Sequence, residues 1–400
     1  MPRRRLATAF AVAAAAIGLV LAFVAGLFIY VNATARPLHP DAQAIPSVAR
    51  QTPSPKWAAA VGQARQALRA GVTAQNLPGL SVAVGVNGEI VWAEGFGYAD
   101  LDKRLPMTPE TRLRAGGVSE SLTSAAVGLL LEQQRLNLDH DIQEYVPDFP
   151  EKAWPITLRE LMGGLSGIRN DAGDEEPIAV HCDRALEAMP RFANDALLFE
   201  PGTRFRASSY AWVLVSGAVE AAAGEPFVTF MRRRIFDPLR MTATQMDSAK
   251  DVVPERTTFY YPRFAGDTRY GPELARDGDY SCLAGAAGFL STPSDLVRFG
   301  AAFNAGTLVQ PATADALLTP QRLASGDETG YGLGWKIDTV PLAGHPARMA
   351  GHGTRQDFLG GTASLFLFPE RRLVVAVMAN TGFADTGTLA STIAGFFAAL

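Results

Sequence analysis

Cysteine and histidine are scarce in this chain, at 2 and 5 residues in 400. Scarcity of cysteine excludes a small disulfide-stapled scaffold. The histidines, His39, His140, His181, His345 and His352, show no metal-ligand spacing, so neither a metal nor another cofactor is expected. A basic excess is also missing, because charged residues make up 19% and the formal net charge is -4. Arg3, Arg4 and Arg5 precede the first acidic residue, Asp41, and setting them aside leaves -7 for the remainder. Nucleic acid is therefore not expected as a partner. Internal repeats and low-complexity tracts are lacking too, which leaves an ordinary globular composition able to build one large core or two lobes.

What is present begins with an uncharged apolar run, Leu6 to Val31. Its length of about 26 residues at roughly 1.5 Å each exceeds the ~30 Å hydrocarbon core. A cleaved secretory signal is the rival reading, since Ala33-Thr34-Ala35 offers a small-x-small site, but apolar regions of signals run to only ~7–15 residues. Residues 1–31 are accordingly expected to be a cytoplasmic arginine cluster plus a single-pass anchor. By the positive-inside rule the rest lies outside the inner (plasma) membrane, facing the periplasm or its equivalent. Pro37, Pro40, Pro46, Pro53 and Pro55 make residues 32–55 read as an extended tether. In that compartment Cys182 and Cys282 could pair, or equally remain two buried thiols.

Residues 56–400 form the expected folded domain. Apolar residues Trp57, Val61, Ala64, Leu68 and Val72 recur at helical spacing. Leu80 to Val86 and Glu89 to Phe96 flank Asn87-Gly88, the two-residue turn of a tight hairpin. A helix from about Ser119 to Gln134 is apolar around much of its circumference and is expected to be central. Further helices are expected at Ser209 to Ala223 and Pro226 to Ile235, a second hairpin at Ala363 to Phe368 and Leu373 to Met378, and a closing helix at Leu389 to Ala399. Strands at both ends enclosing helices predict an α/β sandwich: one antiparallel sheet from the two terminal hairpins, flanked by helices, with a helical lobe at about 140–300 inserted.

The stretch Leu113 to Thr123 resembles the segment around the nucleophile in class C β-lactamases, DD-peptidases and related esterases, where an arginine and two residues precede Ser-x-x-Lys. Further segments match in the same order. They include Leu136 to Pro147, Ser166-Gly167-Ile168, Pro201-Gly202-Thr203, Ile235 to Met241, Tyr331-Gly332-Leu333-Gly334-Trp335 and Pro369 to Asn380. On these residues the chain is identified as a member of the serine β-lactamase and penicillin-binding-protein superfamily. Tyr145 to Lys152 and Leu165 to Arg169 are most similar to the branch with the mitochondrial β-lactamase-like serine protease. The resemblance implies a β-lactamase/DD-peptidase-like fold.

In such enzymes a serine at the start of a buried helix is acylated, and a lysine one turn on takes its proton. The matching positions here are Gly117 and Glu120, which can do neither. The Tyr-x-Asn element falls on Ala207-Ser208-Ser209, and the Lys/His-x-Gly strand on His352-Gly353-Thr354, followed by the lengthened loop Arg355-Gln356-Asp357-Phe358. Gly164 stands where relatives usually carry histidine. Degenerate pocket positions are thus Gly117, Glu120, Ala207, Ser209, His352 and Thr354.

Among neighbours, Ser119 is expected to be a helix cap or packed hydroxyl, and Tyr210 a packed tyrosine, although both could reach a ligand pocket. Glu120 suits the helix N-terminus electrostatically, or could activate a water. His352 is the one residue that could keep a pocket role, paired with Glu120 across the old cleft, the alternative being a purely structural histidine. Exchange of lysine for glutamate removes positive potential, so carboxylate ligands should bind poorly. The function expected is that of a membrane-tethered pseudoenzyme with a binding, regulatory or scaffolding role toward an envelope protein or small molecule. The alternative is an esterase, peptidase or β-lactamase using an unorthodox nucleophile or a Glu120-activated water.

Overall fold

The two terminal hairpins meet in one sheet because each strand carries two apolar faces that neither hairpin can bury alone. A computed structural model describes residues 2–50, 52–170, 180–353 and 360–399, with residues 2–11 described by backbone alone. Helix α1 (Pro2–Thr34) leads to the short strand β1 (Ser47–Ala49), helix α2 (Ala58–Ala74) and the hairpin β2 (Gly79–Val86) and β3 (Glu89–Asp100). Strands β4 (Leu105–Pro106) and β5 (Leu113–Arg114) precede helix α3 (Val118–Glu132). The lobe then contributes α4 (Leu158–Met162), α5 (Ser209–Ala223), α6 (Phe227–Met231), β6 (Gln245–Met246), the hairpin β7 (Tyr260–Pro262) and β8 (Pro272–Leu274), and α7 (Ala284–Ala287). After β9 (Phe289–Ser291), α8 (Pro293–Asn304) and α9 (Pro311–Leu318) come β10 (Lys336–Leu342), β11 (His345–Gly353), β12 (Thr362–Phe368), β13 (Leu373–Ala379) and α10 (Thr386–Ala398).

The main sheet runs β1-β3-β2-β13-β12-β11-β10, with β4 on β3 and every pair antiparallel. Asn87 and Gly88 both take positive φ, 53° and 88°, which is why Asn-Gly serves this turn. Alternation sorts the core into two layers. From β12 and β13, Leu365, Leu367, Val374, Ala376 and Met378 face α3, α8 and the lobe. Phe366, Phe368, Val375 and Val377 face α2 and α10. Helix α3 is buried at every position from Val118 to Leu130, as its all-round apolar surface predicts.

Several boundaries differ from the sequence reading. Helix α10 starts at Thr386 because Asp385 accepts from Thr388 N and caps it three residues before the apolar pattern begins. The hairpin β10–β11 is not legible in the sequence, since β10 alternates weakly and is mostly exposed. Residues 32–55, read as an extended tether that spaces the domain from the bilayer, include segments docked on the domain. Asn76 Oδ1 accepts from Leu38 N at 2.7 Å, His39 is buried against Tyr98, and β1 pairs with β3. A proline-rich composition predicts extension but cannot report that a sheet edge is free to pair. Cys182 and Cys282 form a disulfide with Cα atoms 4.9 Å apart.

Candidate active site

Residue 117 lies at the junction between β5 and α3. Arg114 on β5 is buried, pairs with Asp247 at 2.7 Å, and sits between the rings of Phe259 and Tyr280 at 3.8 and 4.0 Å. Ala115 N donates to Phe289 O, and Gly116 takes a φ of 51°, turning the chain into the helix. Gly117 itself has φ -59°, a conformation open to any residue. What restricts it is His352, on β11 opposite Leu365. A Cβ built on residue 117 would overlap Cε1 of the imidazole and stand 2.7 Å from Nδ1. The ring thus covers the helix start that the sequence resemblance matches to the nucleophile.

Glu120 lies one turn on, with its side chain 9% exposed. Its Oε2 accepts a 2.7 Å hydrogen bond from the Tyr331 hydroxyl and lies 3.4 Å from His352 Nε2. Burial, helped by the Glu120 charge and the hydrogen bond to it, holds the Tyr331 phenol well above its usual value of 10.0. The phenol therefore stays protonated and donates. Nε2 of His352 faces the carboxylate, and Nδ1 lies over Gly117, buried and without a hydrogen-bond partner among the described residues. Phe205 packs on Tyr331 at 5.4 Å. Gly164, at φ +70°, lies beneath Phe205, and a Cβ there would stand 2.8 Å from that ring.

Helix α3 also fixes Tyr331 indirectly. Ser121 Oγ donates to Gly334 O at 2.8 Å, Ser124 Oγ to Leu333 O, and Trp335 Nε1 to Ser124 Oγ at 3.1 Å. Tyr331 heads that same segment; the sequence pattern marks it as a family segment but does not identify its phenol as a partner of Glu120.

The remaining expected positions disperse. Ser119 is fully buried with no partner for Oγ among the described residues, and Gly117 holds the N-cap position, so Ser119 is a packed hydroxyl and not a cap. Ala207 is exposed, and Ser209 is half-buried, with its N–H donating to Asn170 Oδ1 at 3.0 Å. Between them Ser208 caps α5, accepting from Ala211 N and donating to Arg169 O at 2.7 Å. Tyr210 is buried in the core, stacked on Phe192 at 4.5 Å with Arg169 over its ring. Thr354 and the loop Arg355 to Phe358 lie outside the described residues. Among the described residues no three His, Cys, Asp or Glu side chains converge as a metal site.

Chemically, the floor offers a carboxylate held by a phenol and an imidazole, and no hydroxyl or thiol at residue 117. A histidine oriented by a carboxylate can accept a proton, and residue 117 itself has no side chain to be acylated.

The family model described as Beta-lactamase matches residues 64–394. The human serine beta-lactamase-like protein LACTB, mitochondrial, is 29% identical, over 65% of this chain and 60% of that protein. Penicillin-binding protein 4* of Bacillus subtilis (strain 168) is 26% identical, over 66% and 60%. The chain thus spans about 60% of the length of these curated relatives. Among solved structures, the octameric penicillin-binding protein homologue from Pyrococcus abyssi superposes with a TM-score of 0.69 at 22% identity, covering 83% of this chain and 76% of that one. EstCE1, a hydrolase with promiscuous acyltransferase activity, gives 0.69 at 23%, covering 86% and 100%. The likeness to these solved structures is one of fold.

Proposed function

This chain belongs to the Beta-lactamase family, and from that premise we propose that it is a membrane-anchored, extracytoplasmic member that forms no acyl-serine intermediate and acts as a binding, regulatory or scaffolding protein at the cell envelope. The observation that carries the proposal is the imidazole of His352 over Gly117, in the volume a side chain at 117 would need. Loss of the nucleophile alone removes about 10⁶ in kcat in a well-studied serine protease. A helix start covered by a histidine is incompatible with attack from residue 117. Anchoring is supported by α1, whose segment Val12–Thr34 is long and apolar enough to cross a bilayer.

The test is covalent labelling of the full chain with a fluorophosphonate and with a fluorescent penicillin. No adduct is expected from either probe. Stoichiometric labelling that disappears in Ser119→Ala or Ser121→Ala would overturn the proposal.

A second reading is favoured by Nδ1 of His352, which has no hydrogen-bond partner among the described residues. With Glu120 orienting the ring, Nδ1 would take a proton from a water attacking an ester or amide. Hydrolysis without a covalent adduct, abolished in His352→Ala, would establish that reading over the first.

A further inference from the structure

The outer end of α1 does not hang free of the domain. Phe28 packs against Phe264 at 6.3 Å and Tyr270 at 6.1 Å, and those two rings meet at 5.9 Å. Arg263 Nη2 donates to Val31 O and Thr34 Oγ1, each at 3.2 Å, while its Nε donates to Tyr270 O at 2.8 Å. Val31 is buried by these contacts, although its neighbours Ile29 and Tyr30 are 66% and 63% exposed. All of the docking residues belong to one short structure, the connection 263–271 between β7 and β8, closed at its base by Arg263 N donating to Gly271 O at 3.0 Å. Asn76 secures the exit, bonding Leu38 N and Arg36 O and reaching Arg269 O at 3.5 Å.

The depth of the contact is informative. Phe28 lies six residues inside the end of α1 at Thr34, about 9 Å at roughly 1.5 Å per residue. The uncharged apolar run Leu6 to Val31 is longer than the ~20 residues that the hydrocarbon core requires, so Phe28, three residues before its outer end, lies near the edge of that core. A hairpin tip that touches Phe28 therefore reaches down the helix to the level where lipid headgroups begin. Its composition suits that layer: Phe264 and Tyr270 are half-buried aromatics, and Arg269 is an exposed guanidinium paired with Asp267 at 2.7 Å. Aromatic rings and arginine stems both favour the boundary between acyl chains and water.

We propose that the tip of the β7–β8 hairpin, residues 263–271, is a lipid-binding foot seated in the headgroup layer beside α1. The domain then stands on the bilayer in one orientation instead of swinging from a spacer. The proposal rests on α1 spanning the membrane, and its test separates the two.

Both cysteines of the chain are in the disulfide, so a single introduced cysteine takes a fluorophore at one place. Ala265, exposed at the tip, is one site, and Glu89 is the other. Glu89 follows the far end of β2 from Pro78, which contacts His39 at the helix exit, roughly 25 Å away at about 3.3 Å per residue. The full-length Ala265→Cys and Glu89→Cys chains are reconstituted in phosphatidylcholine vesicles, floated, and quenched with headgroup-level spin-labelled lipid. Co-flotation with quenching at Ala265 at least twofold above that at Glu89 is expected. Co-flotation with equal quenching at the two sites overturns the foot alone, and failure to float overturns the anchor and the foot together. Arg269→Cys, exposed on the same tip, is the second reporter should Ala265→Cys fold poorly, with the same outcomes applying.

Discussion

His352 and Gly117 are complementary in volume: the imidazole of one covers the Cα of the other so closely that a methyl group on residue 117 would overlap the ring. The pair joins β11 to the start of α3, two elements distant in sequence. Because Gly117 has an ordinary helical φ, the glycine is required here by the ring and not by the backbone.

Gly117→Ser is therefore expected to destabilise the full chain by about 1–3 kcal/mol, the usual effect of overpacking. In the double variant with His352→Ala most of that effect should vanish, giving a coupling of at least about 1 kcal/mol. Chemical unfolding of the four members of the cycle measures it. Strict additivity would show that the two residues do not compete for space.

Tyr331 supplies the hydrogen bond that lets Glu120 stay buried. Tyr331→Phe removes the 2.7 Å hydrogen bond to that oxygen, with His352 Nε2 at 3.4 Å remaining, and should destabilise by about 1–3 kcal/mol. Glu120→Gln keeps an oxygen for the phenol and removes the buried charge, so a smaller effect is expected. A neutral Tyr331→Phe in the same unfolding assay would mean that water replaces the phenol.

His181 lies between two carboxylates, with Nδ1 2.8 Å from Asp279 and Nε2 3.0 Å from Asp183. The hydrogen bond with Asp279 raises its pKa above 6.5 against the opposing effect of burial, and Asp183 adds to the rise. Lys250, 3.6 Å from Asp183, works against it. A raised histidine pKa stabilises the fold fully below the unfolded value of about 6.5, and that contribution fades as pH climbs through the folded value. Unfolding midpoints should thus decline from about pH 6.5 upward, and His181→Asn should flatten that part of the profile. An unchanged slope in His181→Asn would assign the decline to other groups.

Much of the architecture was legible because it follows from local periodicity. Asn87-Gly88 announces a hairpin through the positive φ that both residues tolerate, and the all-round apolar run after Val118 announces a central helix. The proline-rich stretch was misleading, since local composition says nothing about whether Leu38, His39 and Ser47–Ala49 find partners on Asn76, Tyr98 and β3. At the site, the departures at residues 117 and 120 could be read by motif order. The Tyr331 phenol could not, because 211 residues separate it from Glu120.

By itself the sequence determined which side chains are available: no hydroxyl at residue 117, a carboxylate at 120, a histidine at 352, and one apolar run long enough for a bilayer. Covalent identity is fixed residue by residue and needs no fold to be read. Only the tertiary structure decided that the histidine fills the glycine's empty volume, that a distant phenol holds the carboxylate, that Cys182 meets Cys282, and that a hairpin grips the end of α1. Those relations join segments far apart in the chain, and packing, not local propensity, sets which of them come into contact.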